Sequence, residues 1–289
     1  MTAILEVRGV SKKYPKFELR NVSFSIEPGY ITGFIGRNGA GKTTTLKSIL
    51  GLTHSTGDVF AFGMDMRKHE TECKQRIAVV FGEFGYYNDK RLSVITKVYR
   101  RFYSNWDHAK YLEYLKRFEL DEKKRVKELS AGMKVKYSLA LALSHTAELL
   151  ILDEPTSGLD PVSRDELTDI FREIVSDGMH SILFSTHITS DLDKCADYII
   201  YIRDGEVVMQ GDREEIIGAY RLVQGSTDEL TGELEAALVG IKQTPFGFTG
   251  LIREDMLFLA DGLKTAKADI ESIMVYSEKY EHHEGGELK

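Results

Sequence analysis

Cysteine is nearly absent from this chain: Cys73 and Cys195 are the two in 289 residues. Two distant thiols cannot build the multi-bridge framework of a small secreted domain, and neither has a second ligand pair nearby to suggest a zinc site. A reducing compartment, the cytoplasm, is therefore expected. Long apolar runs are missing as well. The longest, such as Leu149 to Leu152, fall far short of the ~20 residues a membrane-spanning helix needs, so the chain is not expected to cross a bilayer unaided. The stretch MTAILEVRGVSKKYP has no apolar h-region, and no secretory leader is expected in it. Basic excess is lacking too: a formal net charge of −7 offers no electrostatic footprint for nucleic acid, and no nucleic-acid partner is expected. What is present is 42% hydrophobic content, enough to bury a full core in one large domain plus a small one, or in two domains.

The chain is organised around Tyr30 to Leu50, YITGFIGRNGAGKTTTLKSIL. Gly36, Gly39, Gly41, Lys42 and Thr43 fill the pattern G-x-x-x-x-G-K-[ST], with Asn38, Ala40 and Thr44 completing the loop. Ile31, Phe34 and Ile35 before it read as a buried strand, and Leu46, Ile49 and Leu50 recur after it at helical spacing with Gly51 as the stop. Glycines let the backbone wrap a phosphate chain with its N–H groups inward, and the following helix adds its partial positive N-terminus. A triphosphate carries about four negative charges, which neutral donors alone bind weakly. Lys42 supplies a point charge for the β- and γ-phosphates, and the Thr43 hydroxyl is placed to ligate Mg²⁺.

Ahead of this loop, Ile4, Leu5 and Val7, then Phe17 and Leu19, then Val22, Phe24 and Ile26 alternate as short strands of an antiparallel layer. Tyr14 in that layer fits either a half-buried strand position or a purine-stacking aromatic. Ile77 to Phe81 reads as a buried strand. Residues 83 to 128 are rich in aromatic and charged residues, with Leu112, Leu115, Phe118 and Leu120 at helical spacing, which predicts a helical insertion. Within it, Val98 to Tyr103 interleaves Arg100 and Arg101 with aromatics; an amphipathic helix with one aromatic face in the core is the expected reading.

Ser130 is placed to N-cap a helix that buries Val135, Leu139, Ala142 and Leu143, with Gly132 in its first turn. Leu149 to Leu152 then forms a buried strand ending in Asp153 and Glu154. Two carboxylates at the carboxyl end of an apolar strand are costly unless a cation is near, and open α/β sheets place their ligands there. Ser181 to Ser185 is another buried strand, leading into Thr186 and His187. Asp204–Gly205 marks a hairpin between Tyr198–Ile202 and Val207–Met209. Past Gly218 the pattern weakens to a small α+β appendix containing YRLVQ, FTGLI and a terminal helix with Ile270, Ile273, Met274 and Tyr280 inward.

The phosphate loop, LSAGM at Leu129 to Met133, LLILDEP at Leu149 to Pro155, SGLD at Ser157 to Asp160, and His187 fall in one order and spacing. Together they resemble the nucleotide-binding subunit of the ATP-binding cassette (ABC) transporter family over about residues 3 to 218, with a C-terminal extension similar to those of exporter ATPases, including antibiotic and peptide-toxin exporters. The resemblance implies an α/β fold: a P-loop NTPase core with an antiparallel β subdomain, a helical subdomain about 83–145, and a C-terminal accessory domain over 219–289. It also implies ATP and Mg²⁺, ATP hydrolysis, a second ATPase subunit in a homodimer, and integral membrane permease subunits that hold the chain at the cytoplasmic face of the membrane.

Carried over residue by residue, Tyr14 resembles the adenine-stacking aromatic, Asp153 the Mg²⁺-organising carboxylate and Glu154 the general base. His187 resembles the switch residue at the γ-phosphate. Asp160 lies in the loop linking two sites across a dimer, and Ser130 and Gly132 belong to the signature that closes over the partner's ATP. Ala131 and Met133 depart from the usual LSGGQ. A magnesium-binding glutamine usually follows the strand IAVVF; here Gly82 and Glu83 stand there, and Glu83 is the candidate third metal ligand beside Thr43 and Asp153. A soluble assembly-system ATPase and an importer subunit are the competing readings, the latter disfavoured by the missing glutamine.

Overall fold

The computed structural model describes residues 3–81 and 87–284, with side chains through Glu278. The chain divides into two compact units, Met1–Gln210 and Gly211–Lys289, ahead of the boundary expected at Gly218.

In the first unit, β1 (Leu5–Tyr14) and β2 (Phe17–Ile26) form an antiparallel hairpin whose last pair is Tyr14 with Phe17. The sequence suggested three short pieces here. Instead β2 runs unbroken, because Asn21 takes a left-handed φ of 48° and shifts of register near Val10 absorb the irregularity. β3 (Ile31–Ile35) is buried at every position and feeds the glycine loop, from which α1 (Lys42–Ile49) departs. Next come β4 (Thr56–Ala61), β5 (Met64–Asp65), α2 (Glu70–Arg76) and β6 (Ile77–Phe81). β4 and β5 extend the hairpin into a four-stranded antiparallel sheet of order β2-β1-β4-β5.

The helical segment holds α3 (Leu92–Tyr99), a 3₁₀ turn at Arg100–Phe102, α4 (His108–Arg117) and α5 (Ala131–Leu143). Asp107 N-caps α4 by accepting from Ala109 and Lys110, and Ser130 N-caps α5 by accepting from Met133 N at 3.2 Å, as its position in the sequence suggested. β7 (Leu149–Asp153), α6 (Pro161–Val175), β8 (Ser181–Thr186), α7 (Thr189–Cys195), β9 (Tyr198–Arg203) and β10 (Glu206–Asp212) follow. Asp204 and Gly205, at φ 47° and 84°, make the turn between the last two strands.

The central sheet has the order β10-β9-β3-β8-β7-β6, with β9, β3, β8, β7 and β6 parallel. Runs such as LLILD and SILFS are apolar on both faces because helices or the antiparallel layer cover both sides of a parallel sheet. Leu46 and Ile49 of α1 join Leu5, Val22 and Phe24 from the antiparallel layer and Phe34, Ile151 and Leu183 from the central sheet in one core. Each such side chain, buried from an exposed reference, stabilises by about 1.5–3 kcal/mol. The core thus clamps α1, and with it the glycine loop, between two sheets.

The second unit starts with α8 (Arg213–Gly218) and β11 (Tyr220–Gly225), then α9 (Gly232–Ala237), β12 (Leu238–Thr244), β13 (Gly247–Arg253), β14 (Lys264–Lys267) and α10 (Ile270–Glu284). Its antiparallel sheet has the order β12-β13-β11-β14, with Val223, Phe248 and Ile252 packed against Leu234 and Ala260. Ile270 and Ile273 are buried as expected, and Tyr276 is buried with them.

Candidate functional site

Parallel strands present their carboxyl ends on one edge, and β3, β8 and β7 are adjacent there, with Ile35 opposite Thr186 and Asp153 opposite Ser185. Three separate stretches of sequence are therefore brought together: the glycine loop, the pair Asp153–Glu154, and His187. The loop's shape depends on two glycines in particular. A Cβ on Gly36 would lie 2.4 Å from the Ile202 carbonyl oxygen, and Gly41, at φ 115°, occupies a backbone conformation that side chains disfavour as it caps α1.

Around the loop the polar groups form one connected set. Thr43 donates its hydroxyl to Asp153 Oδ2 at 2.8 Å, and Ser185 donates to Asp153 Oδ1 at 2.6 Å. The Lys42 ammonium, 5% exposed, donates to the Gly36 carbonyl at 2.7 Å and pairs with Glu154 Oε1 at 3.1 Å. Glu154 Oε2 accepts from His187 Nδ1 at 2.7 Å, which places the ring proton on Nδ1 when the imidazole is neutral. Glu154 itself has φ 50°, a left-handed backbone that costs a long side chain on the order of 1–3 kcal/mol. Its N–H is held by the Ser185 carbonyl and hydroxyl at 3.1 and 3.0 Å, which fixes that conformation. Strain of this kind, kept in place by neighbours, gathers at working sites.

These groups line an open cleft of about 640 Å³. Of the residues singled out in the sequence, Asn38, Gly39, Gly41, Lys42, Thr43, Thr44, Glu154 and His187 face it, while Gly36 and Ala40 shape the loop behind. Tyr14 does not line the cleft. It is 41% exposed, with its hydroxyl 3.4 Å from Thr53 Oγ1 and Lys12 5.2 Å from its ring centroid. Phe17 across the hairpin lines the cleft instead, together with Ser157 of the SGLD turn and with Lys16 and Arg37; sequence reasoning picked out neither Lys16 nor Arg37, and read Phe17 only as a strand residue. Their signal was there, two aromatics three residues apart around Pro15–Lys16, but the hairpin register decides which one turns inward.

Ser130, Gly132 and Asp160 do not line the cleft. Asp160 caps α6 by accepting from Val162 and Ser163 N–H at 3.0 and 3.1 Å, and the Ser163 hydroxyl bond at 2.6 Å is the first cause of its lowered pKa. The Gly132 Cα approaches this same turn, a Cβ there lying 3.8 Å from Leu159 and Ser163. The two helix starts are side by side, outside the cleft. Glu83 and Gly82 lie outside the described residues; β6, which precedes them, ends with Phe81 in register with Asp153. Thr43 and Asp153 alone form a hard-oxygen pair suited to Mg²⁺, which takes few protein ligands and completes its shell with phosphates and water. Among the described residues no cluster of three or more His, Cys, Asp or Glu could hold a metal by itself, and no helix is long and apolar enough to cross a membrane.

A family model described as "ABC transporter" matches residues 19–157. The ATP-binding protein NatA of Bacillus subtilis is 37% identical over 213 residues, covering 70% of this chain and 85% of its own length. YtrB of the same organism is 31% identical over 78% of this chain and 77% of its own, and the bacitracin transport ATP-binding protein BcrA of Bacillus licheniformis is 31% identical over 72% and 69%. Among solved structures, one titled as the ATP-binding subunit of an ABC transporter superposes with a TM-score of 0.66 at 27% identity, covering 74% of this chain and 91% of that one.

Proposed function

This chain belongs to the ABC transporter ATP-binding family, and from that premise we propose that it hydrolyses ATP as one of two identical subunits that power an exporter, seated on separate membrane permease subunits at the cytoplasmic face. The observation that carries the reading is the joining of Lys42, Glu154 and His187 in one hydrogen-bonded set at adjacent strand ends. Similarity to BcrA, which is named for bacitracin transport, supports a peptide or antibiotic as cargo.

Phosphoryl transfer asks for positioning and charge neutralisation more than covalent help. The loop N–H groups and the α1 N-terminus cradle the phosphates, and Lys42 neutralises the β- and γ-oxygens. Mg²⁺ held by Thr43 and Asp153 would add a divalent charge at those oxygens. Glu154 orients the attacking water and accepts its proton, with His187 fixing the carboxylate through Oε2. Phe17 borders the cleft on the hairpin side, where a purine can lie on its ring. Ser130, Gly132 and Asp160, which do not line this cleft, close over the ATP of the second subunit, so that ATP joins two chains and hydrolysis releases them.

The test is Glu154→Gln. It keeps the side chain's size and its acceptor for His187 but removes the base, so ATP affinity should persist while turnover falls by about a hundredfold or more. A stable ATP-dependent dimer should accumulate on size-exclusion chromatography. Near-normal turnover in that variant would sink the assignment.

A further inference from the structure

An ion pair with a fully buried carboxylate and a partly exposed guanidinium joins the first turns of α6 and α7. Asp191 is 0% exposed, and neither of its oxygens accepts a hydrogen bond within 3.5 Å; the charged partner is Arg164 Nε at 3.7 Å, itself buried and without an acceptor. The Thr156 hydroxyl is buried and unpaired in the same way. Burial pushes the Asp191 carboxyl above the ordinary carboxylate range, and Thr156 and Arg164 work against that rise. An apolar pair of equal volume would fill such a space with less desolvation, so packing alone does not explain the choice of charges.

The pair's place in the chain suggests what it does. Arg164 follows Asp160 by one helical turn, donating its backbone N–H to the Asp160 carbonyl and a guanidinium nitrogen to the Leu159 carbonyl at 3.4 Å. Asp191 follows His187 by four residues, and its N–H donates to the Ile188 carbonyl. Thr156 lies two residues after Glu154. The contact spans the loop that precedes α6 and the loop that carries the histidine, and it is loose enough to tighten into shared hydrogen bonds. We propose that Asp191 is a positioning residue: through Arg164 it ties the Ser157–Asp160 turn to His187, so that movement of the second-subunit face is felt at the Glu154–His187 pair. This rests on the reading of Glu154 and His187 as hydrolytic groups.

The experiment compares Asp191→Asn, Arg164→Met and the double Asp191→Leu/Arg164→Met in the full chain, measuring ATP affinity with a fluorescent analogue, kcat, KM and the thermal midpoint. The single changes should leave ATP affinity within about twofold and lower kcat about tenfold, as misplacement by a fraction of an ångström does. The double change should regain the thermal midpoint, because no charge is left buried alone, yet keep the low kcat. A double variant with normal kcat would make the pair merely structural and overturn the proposal, as would Asp191→Asn with unchanged kcat. Where a single variant fails to fold, the double one decides. Glu154→Gln run in parallel separates the two ideas: normal turnover there removes the hydrolytic reading whatever Asp191 does.

Discussion

At the scale of single residues the loop tolerates little. Gly36 does not need a left-handed φ; it needs the absence of a Cβ, since the atom it would meet is the Ile202 backbone carbonyl rather than a movable side chain. Gly36→Ala should therefore displace the loop, lowering the thermal midpoint and weakening ATP binding together, both readable from one set of melts with and without nucleotide. Lys42→Ala should leave the fold intact and cost nucleotide affinity about tenfold to a hundredfold, the loss of one or two charge-assisted hydrogen bonds. Calorimetric titration with ATP checks it, and unchanged affinity would remove Lys42 from the phosphates. The residues of this set were legible in the sequence because their chemistry is tied to spacing along one strand-to-loop junction each. Phe17 was not, because its approach to the cleft depends on a pairing with Tyr14 across a turn, a fact of three dimensions.

At the scale of elements, legibility followed burial pattern. β3, β7 and β8 announce themselves as unbroken apolar runs, and α5 by its cap. β12 and β14 were missed because LVGIKQT is apolar only in its first half and KTAK has a single apolar residue, so neither alternates, and their hydrogen bonds to β13 and β11 hold them instead. The aromatics between α3 and α4 resolve into a packed cluster: Tyr103 stacks on His145 at 3.7 Å, Tyr99 donates or accepts at His145 Nε2 at 3.2 Å, and Trp106 meets Tyr99 and Tyr111 edge-on or tilted. Burial lowers the His145 pKa to about 4 from an ordinary 6.5. The folded state holds this imidazole neutral while the unfolded chain protonates it below 6.5. Its contribution to stability is thus complete above about pH 6.5 and is lost as pH falls toward 4, on the order of 1–2 kcal/mol by pH 5. His145→Phe keeps the stack and removes the titration, so urea unfolding at neutral and mildly acid pH should show a shallower acid loss in the variant than in the parent. Parallel losses would mean that other groups set the acid response.

For the whole molecule, the useful question is where nucleotide chemistry meets a membrane partner, since no helix among the described residues is long and apolar enough to cross a bilayer. Phe84, Tyr86, Tyr87, Tyr99, Phe102, Tyr103 and Trp106 are more aromatics than a small helical core needs. Phe84 and Tyr86 lie outside the described residues, and Tyr99, Tyr103 and Trp106 are taken up by the packed cluster. What stays on the surface is Tyr87 at 68%, Phe102 at 70%, and the α3 positions Val94 and Val98 at 47% and 53%. Val94 and Val98 are one helical turn apart, and Phe102 follows in the 3₁₀ continuation, with exposed Lys97 and Arg101 beside them. The segment leaves the sheet at β6, whose last residue pairs with Asp153, so a partner pressing on it has a short path to the carboxylates. We therefore expect this face to receive a short amphipathic helix of the permease. Phe102→Ser with Val98→Ser should reduce co-purification with the membrane subunits, each anchor being worth about 2 kcal/mol, while ATP binding by the isolated chain stays unchanged. If the assembled transporter tolerates both substitutions at full affinity, docking takes place on another surface and the stripe is merely exposed.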